Sequence, residues 1–298
     1  MRAERPQDAW FTQAAAGLLL AGGAGLGALL GGVPGSAGGT AAGAALAAAL
    51  AHHMASRTRE RRKLLATPLA SRHRDFLRDR YDHYERLPAP LRVRFEDDLR
   101  LFLGEKRITG VGVAVSDELR LLVAASAVTL SLGWPDAEWD QLTEVLLYPG
   151  DFDRDYARGA QDLAGEAHAW GTVILSVPTL LESFEYDDDG YHVGLHEFAH
   201  LLDVEQAEFD GMPTGIGAQD RRAWAELVPH EMKRIREGRS ALDDYGGSDP
   251  VEFFPVAVEA FFEQPRLLRE RHPEVYGILA RYFVQDPASW DDARRLSR

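Results

Sequence analysis

From Ala9 to Ala51 no position is charged, and alanine and glycine make up most of the run. Two apolar stretches, about residues 10–33 and 37–55, flank "VPGS", where Pro34 and Gly35 predict a turn. Each stretch is near the roughly 20 residues that cross a bilayer. Glycines recur every fourth position at Gly23, Gly27, Gly31, Gly35, Gly39 and Gly43, a spacing that lets helices approach closely in lipid. The pattern predicts a membrane hairpin through residues 10–55, with a flexible Ala/Gly tail as the alternative. "RTRERRK" (57–63) follows, and positive charge prefers the cytoplasmic side. The remainder is therefore expected in the cytoplasm, anchored to the inner membrane, or soluble there if the segment does not insert. A cleaved signal peptide fits poorly, because Glu4 and Asp8 accompany Arg2 and Arg5 and the apolar region is too long.

Beyond Leu64 the polar and apolar positions alternate as in a globular domain. "RHRDFLRDRYDHYERLP" (72–88) reads as a charged helix stopped by Pro88, and "PLRVRFEDDLRLFLGEKRITG" as a second helix ending near Gly104. "LRLLVAASAVTLSLGW" (119–134) is nearly all apolar and predicts a buried helix closed by Pro135. Short strands are expected at Glu144–Tyr148 and about Thr172–Val177, the latter stopped by Pro178. The chain thus divides into a hydrophobic segment with a basic linker, 1–63, and one domain, 64–298. Its class is α+β, helix-rich with a small sheet.

Composition narrows the chemistry. A net charge of −14 over 298 residues disfavours a nucleic-acid partner. With no cysteine, disulfides, thiolate metal sites and cysteine nucleophiles are excluded. Any transition-metal site must be made of histidines and carboxylates.

"LHEFAHLLD" (195–203) offers such a set. On a helix Leu195, Phe198, Ala199 and Leu202 form an apolar stripe, while His196, His200 and Asp203 share another face. Two imidazoles one turn apart can hold one metal ion, and Glu197 lies round the helix, able to take a proton from an attacking water. Asp203 is placed to accept the second ring N–H of a ligand histidine. A third ligand is expected in "DDYGGSDPVEFFPVAVEAFFEQP" (243–265), where Ser248 or Asp249 before Pro250 marks a helix start. Glu252 and Glu259, seven apart, share a face among phenylalanines and valines. Spacing alone allows either glutamate, and Pro255 either kinks this helix or marks its first turn.

These motifs together, with "DG" and "P" at 210–213, "LYPGDF" and "WGTVILSV", resemble the MtfA (Mlc titration factor A) family of zinc metallopeptidases, over about residues 64–290. The resemblance implies a zincin-like fold and one zinc ion, held by His196, His200 and Glu252. It implies Glu197 as general base and Tyr245 as donor to the transition state. Glu259 then becomes a supporting carboxylate. The implied activity is peptide-bond hydrolysis, aminopeptidase-like on short peptides. The alternative implied function is a regulatory protein that sequesters a sugar-responsive transcriptional repressor. Pro255 stands where the family usually has alanine, and the hydrophobic N-terminus departs from the soluble members.

Three further segments complete the expectations. "WGTVILSV" is a candidate edge strand for pairing with extended substrate. "DFDRDYARGAQD" (151–162) has acidic residues at calcium-loop positions 1, 3 and 5 but lacks the glycine at position 6, and reads as a solvated loop. His168 and His192 lack ligand spacing and read as surface or satisfied histidines.

Overall fold

The structure is a computed structural model that describes residues 6–135, 139–152, 163–186, 188–205 and 208–296. Most of the acidic 151–162 segment lies outside the described residues. The chain forms two compact units, Met1–Pro68 and Leu69–Arg298.

In the first unit a single helix, α1, runs from Pro6 to Ala66. The expected turn at Pro34–Gly35 is not there; the backbone stays helical through both residues. An internal proline forfeits one backbone hydrogen bond and costs about 3 kcal/mol. The neighbours of Pro34, Val33 and Gly35, are weak helix formers as well, so local propensity does not account for the continuity. The backbone there is one continuous helix where two joined by a turn were expected. No helix among the described residues is long and apolar enough to cross a membrane.

The second unit opens with α2 (Ser71–Arg80), α3 (Asp82–Arg86) and α4 (Ala89–Glu105), followed by strand β1 (Arg107–Gly110) and α5 (Asp117–Ser131). The segment expected as one charged helix is therefore two. Tyr81 between them is extended, with φ −141°. Its ring packs edge-on against Phe184 at 4.9 Å, and its hydroxyl meets Thr129 Oγ1 at 2.7 Å. Burying that side chain outweighs the one helical turn it interrupts. Helix α5 is the apolar helix expected at 119–134, buried along nearly its whole length and capped by Ser116, whose Oγ accepts from the Leu119 amide at 3.2 Å.

Strands β2 (Glu144–Tyr148), β3 (Gly165–His168) and β4 (Thr172–Ser176) complete a four-stranded sheet of order β1-β2-β4-β3. β1, β2 and β4 run parallel, and β3 returns antiparallel to β4. This corrects one expectation. The strand of "WGTVILSV" is interior to the sheet, whose edges are β1 and β3. Pro178 does not simply stop a strand; it sits in the first turn of α6 (Val177–Glu185), where its missing N–H costs nothing.

Next come α7 (Val193–Leu201), the short β5 (Val204–Glu205) and β6 (Glu208–Phe209), and α8 (Ala218–Arg236). A 3₁₀ turn, Asp244–Gly247, leads into α9 (Pro250–Glu263), then α10 (Pro265–Arg271), α11 (Pro273–Phe283) and α12 (Pro287–Leu296). Asp249 caps α9, its Oδ1 accepting from the Val251 amide at 3.0 Å, with Pro250 at the first helical position. The helix continues through Pro255, so Glu252 lies in its first turn. Phe253, Phe254, Phe261 and Phe262 are all buried; Trp224 lies 5.5 Å from Phe253, and Phe283 lies 5.2 Å from Phe262. Each such side chain contributes about 1.5–3 kcal/mol by leaving water. That apolar mass fixes α9 against α7, and it is why two glutamates on α9 can be held deep in the protein.

Candidate metal centre

All nine residues of α7 are buried. The helix packs so close to α5 that a Cβ on Gly194 would stand 2.3 Å from Ser126 Oγ. Its N-terminus is closed by His192, whose Nδ1 accepts from the Leu195 amide at 3.2 Å. His192 is therefore neither a surface residue nor fully satisfied, since its buried Nε2 has no hydrogen-bond partner among the described residues.

On this rigid helix the Nε2 atoms of His196 and His200 lie 3.1 and 3.4 Å from Glu252 Oε2. Donor atoms of the three residues all fall within 4.8 Å of one another, the one such group among the described residues. Glu259, two turns further along α9, reaches the other side of His196, with Oε2 3.1 Å from Nδ1 and Oε1 accepting the His192 amide at 2.8 Å. A carboxylate at Nδ1 keeps the proton there, and Nε2 is left with its lone pair facing the Glu252 carboxylate. Two lone-pair bearers at 3.1 Å repel unless a proton or a cation stands between them. The donor set therefore fits a divalent metal ion.

The electrostatics agree. Burial opposes a charge on His196, but Glu259 and Glu252 override it and hold the imidazole well above its usual range. Burial opposes charge on Glu252 too, yet hydrogen bonds to His196 and His200 hold its carboxyl well below the ordinary value. The cluster demands a positive charge at one point, which a metal supplies with the histidines neutral.

Glu197 stands apart from this set. It is pushed up to about 8, chiefly by burial, with the His196 charge opposing and Glu252 and Glu259 reinforcing. Its carboxylate packs against the backbone of β3, so that a Cβ on Gly165 would sit 2.6 Å from Oε1. Tyr245 lies on the 3₁₀ turn, held there by Asp243, whose Oδ1 accepts the Tyr245 amide at 2.8 Å. Its ring centroid is 5.9 Å from that of His196, and burial together with the charges of Glu252 and Glu197 raises the phenol to about 12.

Asp203 is the correction within the site. It accepts the amides of Gly211 and Met212, each at 2.8 Å, and leaves the histidine rings alone. α7 ends at Leu201, so Asp203 is no longer on the helical face that the periodicity gave it. The carboxylate that orients a histidine is Glu259. Sequence reading did not single out Gly165 or Tyr191, which lines the same cavity as Glu197; a four-residue strand of mixed polarity carries no signal for either.

A buried helix with two histidines one turn apart, a glutamate from a second helix and a carboxyl facing a strand together form a candidate metal site of the metallopeptidase kind. The chain belongs to the family described as glucose-regulated metallo-peptidase M90, whose model matches residues 55–284. It is 33% identical over 223 residues to Mlc titration factor A of Edwardsiella ictaluri, covering 69% of this chain and 82% of that protein. It is 29% identical over 242 residues to the uncharacterized protein slr2042 of Synechocystis, covering 76% and 88%. Mlc titration factor A of Pectobacterium atrosepticum is 29% identical over 206 residues, 62% of this chain and 76% of that protein. The family expected from the motifs is thus the family found.

Proposed function

We propose that the chain is a zinc-dependent peptidase acting on short peptides or amino-terminal residues. The observation that carries this reading is the convergence of His196, His200 and Glu252 on one point beside the buried carboxyl of Glu197. Zinc held by those three residues supplies Lewis acidity, polarising a peptide carbonyl and acidifying a water. The remaining steps belong to the chain. Glu197 takes a proton from the attacking water as its oxygen bonds to the carbonyl carbon. It returns that proton to the amine nitrogen as the C–N bond breaks. The Tyr245 hydroxyl donates to the carbonyl oxygen as charge develops there. Glu259 keeps the Nδ1 proton of His196 in place throughout.

β3 supplies the substrate edge. Ser176 donates to Ala164 O at 2.9 Å, so alternation in an antiparallel pair turns the N–H and C=O of Gly165 and Ala167 away from β4. Among the described residues only Phe152 pairs on that side, at Leu163, and the groups of Gly165 and Ala167 would pair with an extended peptide beside Glu197. Gly165→Ala places a methyl against the Glu197 carboxylate, and a displaced base is expected to lower kcat on the order of 10²-fold. Metal content should stay unchanged, as measured by elemental analysis on the same preparation.

The reading as a whole is tested on the purified chain by metal analysis and a screen of chromogenic aminoacyl and peptide substrates. One zinc per chain and chelator-sensitive hydrolysis are expected; absence of stoichiometric metal sinks it. A second reading rests on the name of the Edwardsiella and Pectobacterium relatives, which describes titration of Mlc. Under it the chain captures a transcriptional repressor. Capture that persists in His196→Ala, with no peptide hydrolysed, would favour that role. We propose a cytoplasmic location for the unit, in keeping with the absence of cysteine.

A further inference from the structure

The chain between α8 and α9 has to carry Tyr245 to the site, and a connecting loop is ordinarily the most mobile part of a fold. Here it is held on both sides of Tyr245. Downstream, Gly246 and Gly247 have no side chain, and the 3₁₀ turn lies so close to α8 that a Cβ on Gly247 would stand 2.9 Å from Ile235 Cγ2. Arg236 Nη1 donates to Gly247 O at 3.0 Å. Upstream the anchor is His272, a buried histidine that the proposed steps of hydrolysis do not use. It sits at the junction of α10 and α11, where its own amide donates to Leu268 O at 2.8 Å and its carbonyl accepts from the Tyr276 amide at 3.0 Å. Its Nε2 lies 3.1 Å from the Ala241 amide and 3.3 Å from Ser240 Oγ. A backbone amide can only donate, so Nε2 carries the lone pair and Nδ1 the proton. That proton meets Glu231 Oε2 at 2.8 Å. Glu231, buried on α8, is fixed in turn by Arg234 Nη1 at 2.9 Å. Burial outweighs the Glu231 charge and holds the imidazole below its usual range, in the neutral form that can accept.

Building on the peptidase reading, we propose that His272 is a positioning residue for Tyr245. The path from one to the other is short. After Ala241 comes Leu242, which is buried and whose amide donates to Ser240 Oγ at 3.1 Å. Asp243 then accepts the Tyr245 amide and opens the 3₁₀ turn. An imidazole engaged at both nitrogens fixes where Ala241 can lie, and the turn that follows inherits that position. Without the anchor the phenol would sample places from which it cannot donate to the developing oxyanion. The loss would then fall on the transition state rather than on the metal or the bound substrate. The ring's partners are Glu231, Ser240 and Ala241, none of them a metal-binding candidate.

The test is a double-mutant cycle of His272→Ala with Tyr245→Phe in the metal-loaded full chain. Metal content, kcat and KM for a chromogenic peptide, and amide hydrogen exchange are measured on all four proteins. His272→Ala should lower kcat about tenfold, a partial misplacement of one donor, with metal content and KM held. Exchange of the amides of 241–248 should quicken, while those of α7 and α9 keep their protection. In the Tyr245→Phe background the phenol is already gone, so His272→Ala should cost less than about twofold more. A full tenfold loss in that background overturns the inference, as does unchanged exchange across 241–248 in His272→Ala. Should the alanine variant not fold, His272→Asn takes its place with the same expectations, because its amide keeps an N–H for Glu231 and has no atom where Nε2 stood. Hydrogen exchange needs no turnover. Quickened exchange at 241–248 in a chain that hydrolyses no peptide would leave the anchor standing and sink the peptidase reading on which its catalytic part rests.

Discussion

Replacing His196, His200 or Glu252 by alanine should reduce bound zinc from about one per chain to nearly none, and hydrolysis with it. The geometry makes the three inseparable. Glu252 Oε2 is shared between the two Nε2 atoms, so loss of any one leaves a pair of donors where three converge. The loss should also register in stability, because a ligand bound only by the folded state stabilises it by about 4 kcal/mol at 1,000-fold excess over Kd. For a unit the size of Leu69–Arg298 that corresponds to roughly 8–16 °C in Tm. Chelation of the unaltered chain should lower Tm by a similar amount, and chelation of His196→Ala should do nothing further. A variant that keeps one equivalent of metal and full activity would remove the residue concerned from the centre.

The candidate site was legible in the sequence because its parts lie on strongly patterned helices. The stripe of Leu195, Phe198 and Ala199 fixed the rotation of α7, and the Asp249–Pro250 start fixed the register of α9. The resemblance then separated Glu252 from Glu259, and the two turn out to serve opposite nitrogens of the same imidazole. What the sequence hid is the work of tertiary contacts. β1 and β3 are four residues each, too short for alternation to emerge, and only pairing with β2 and β4 makes them strands. The edge was consequently misplaced by one strand. The break at Tyr81 depends on Thr129 and Phe184, 48 and 103 residues away. Asp203 failed because a helical wheel assumes that the helix continues. At Pro34–Gly35 a proline and a glycine predicted a turn, and the backbone instead continues as helix.

Glu197→Gln should bind zinc as the unaltered chain does and yet lose hydrolysis by about 10³-fold or more, within the range for loss of a positioned general base together with the proton it returns. Glutamine matches the carboxylate in size, so the packing of that side chain against Gly165 is kept. It makes no demand on His196 or His200, which face Glu252 and Glu259. Burial already pushes the Glu197 carboxyl up to about 8, so an uncharged amide there adds no desolvation cost and folding stability should be unchanged or slightly higher. Intact metal and intact Tm with activity gone would separate the base from the donors that surround it. Retained hydrolysis would move the proton transfer to another group, with the Tyr245 phenol, raised to about 12, a poor substitute at neutral pH. The same variant divides the two functional readings, since capture of a repressor has no use for a proton acceptor at this position. A chain that loses cleavage in Glu197→Gln but keeps a protein partner would carry both roles on one scaffold, with the chemistry confined to α7, α9 and the edge of β3.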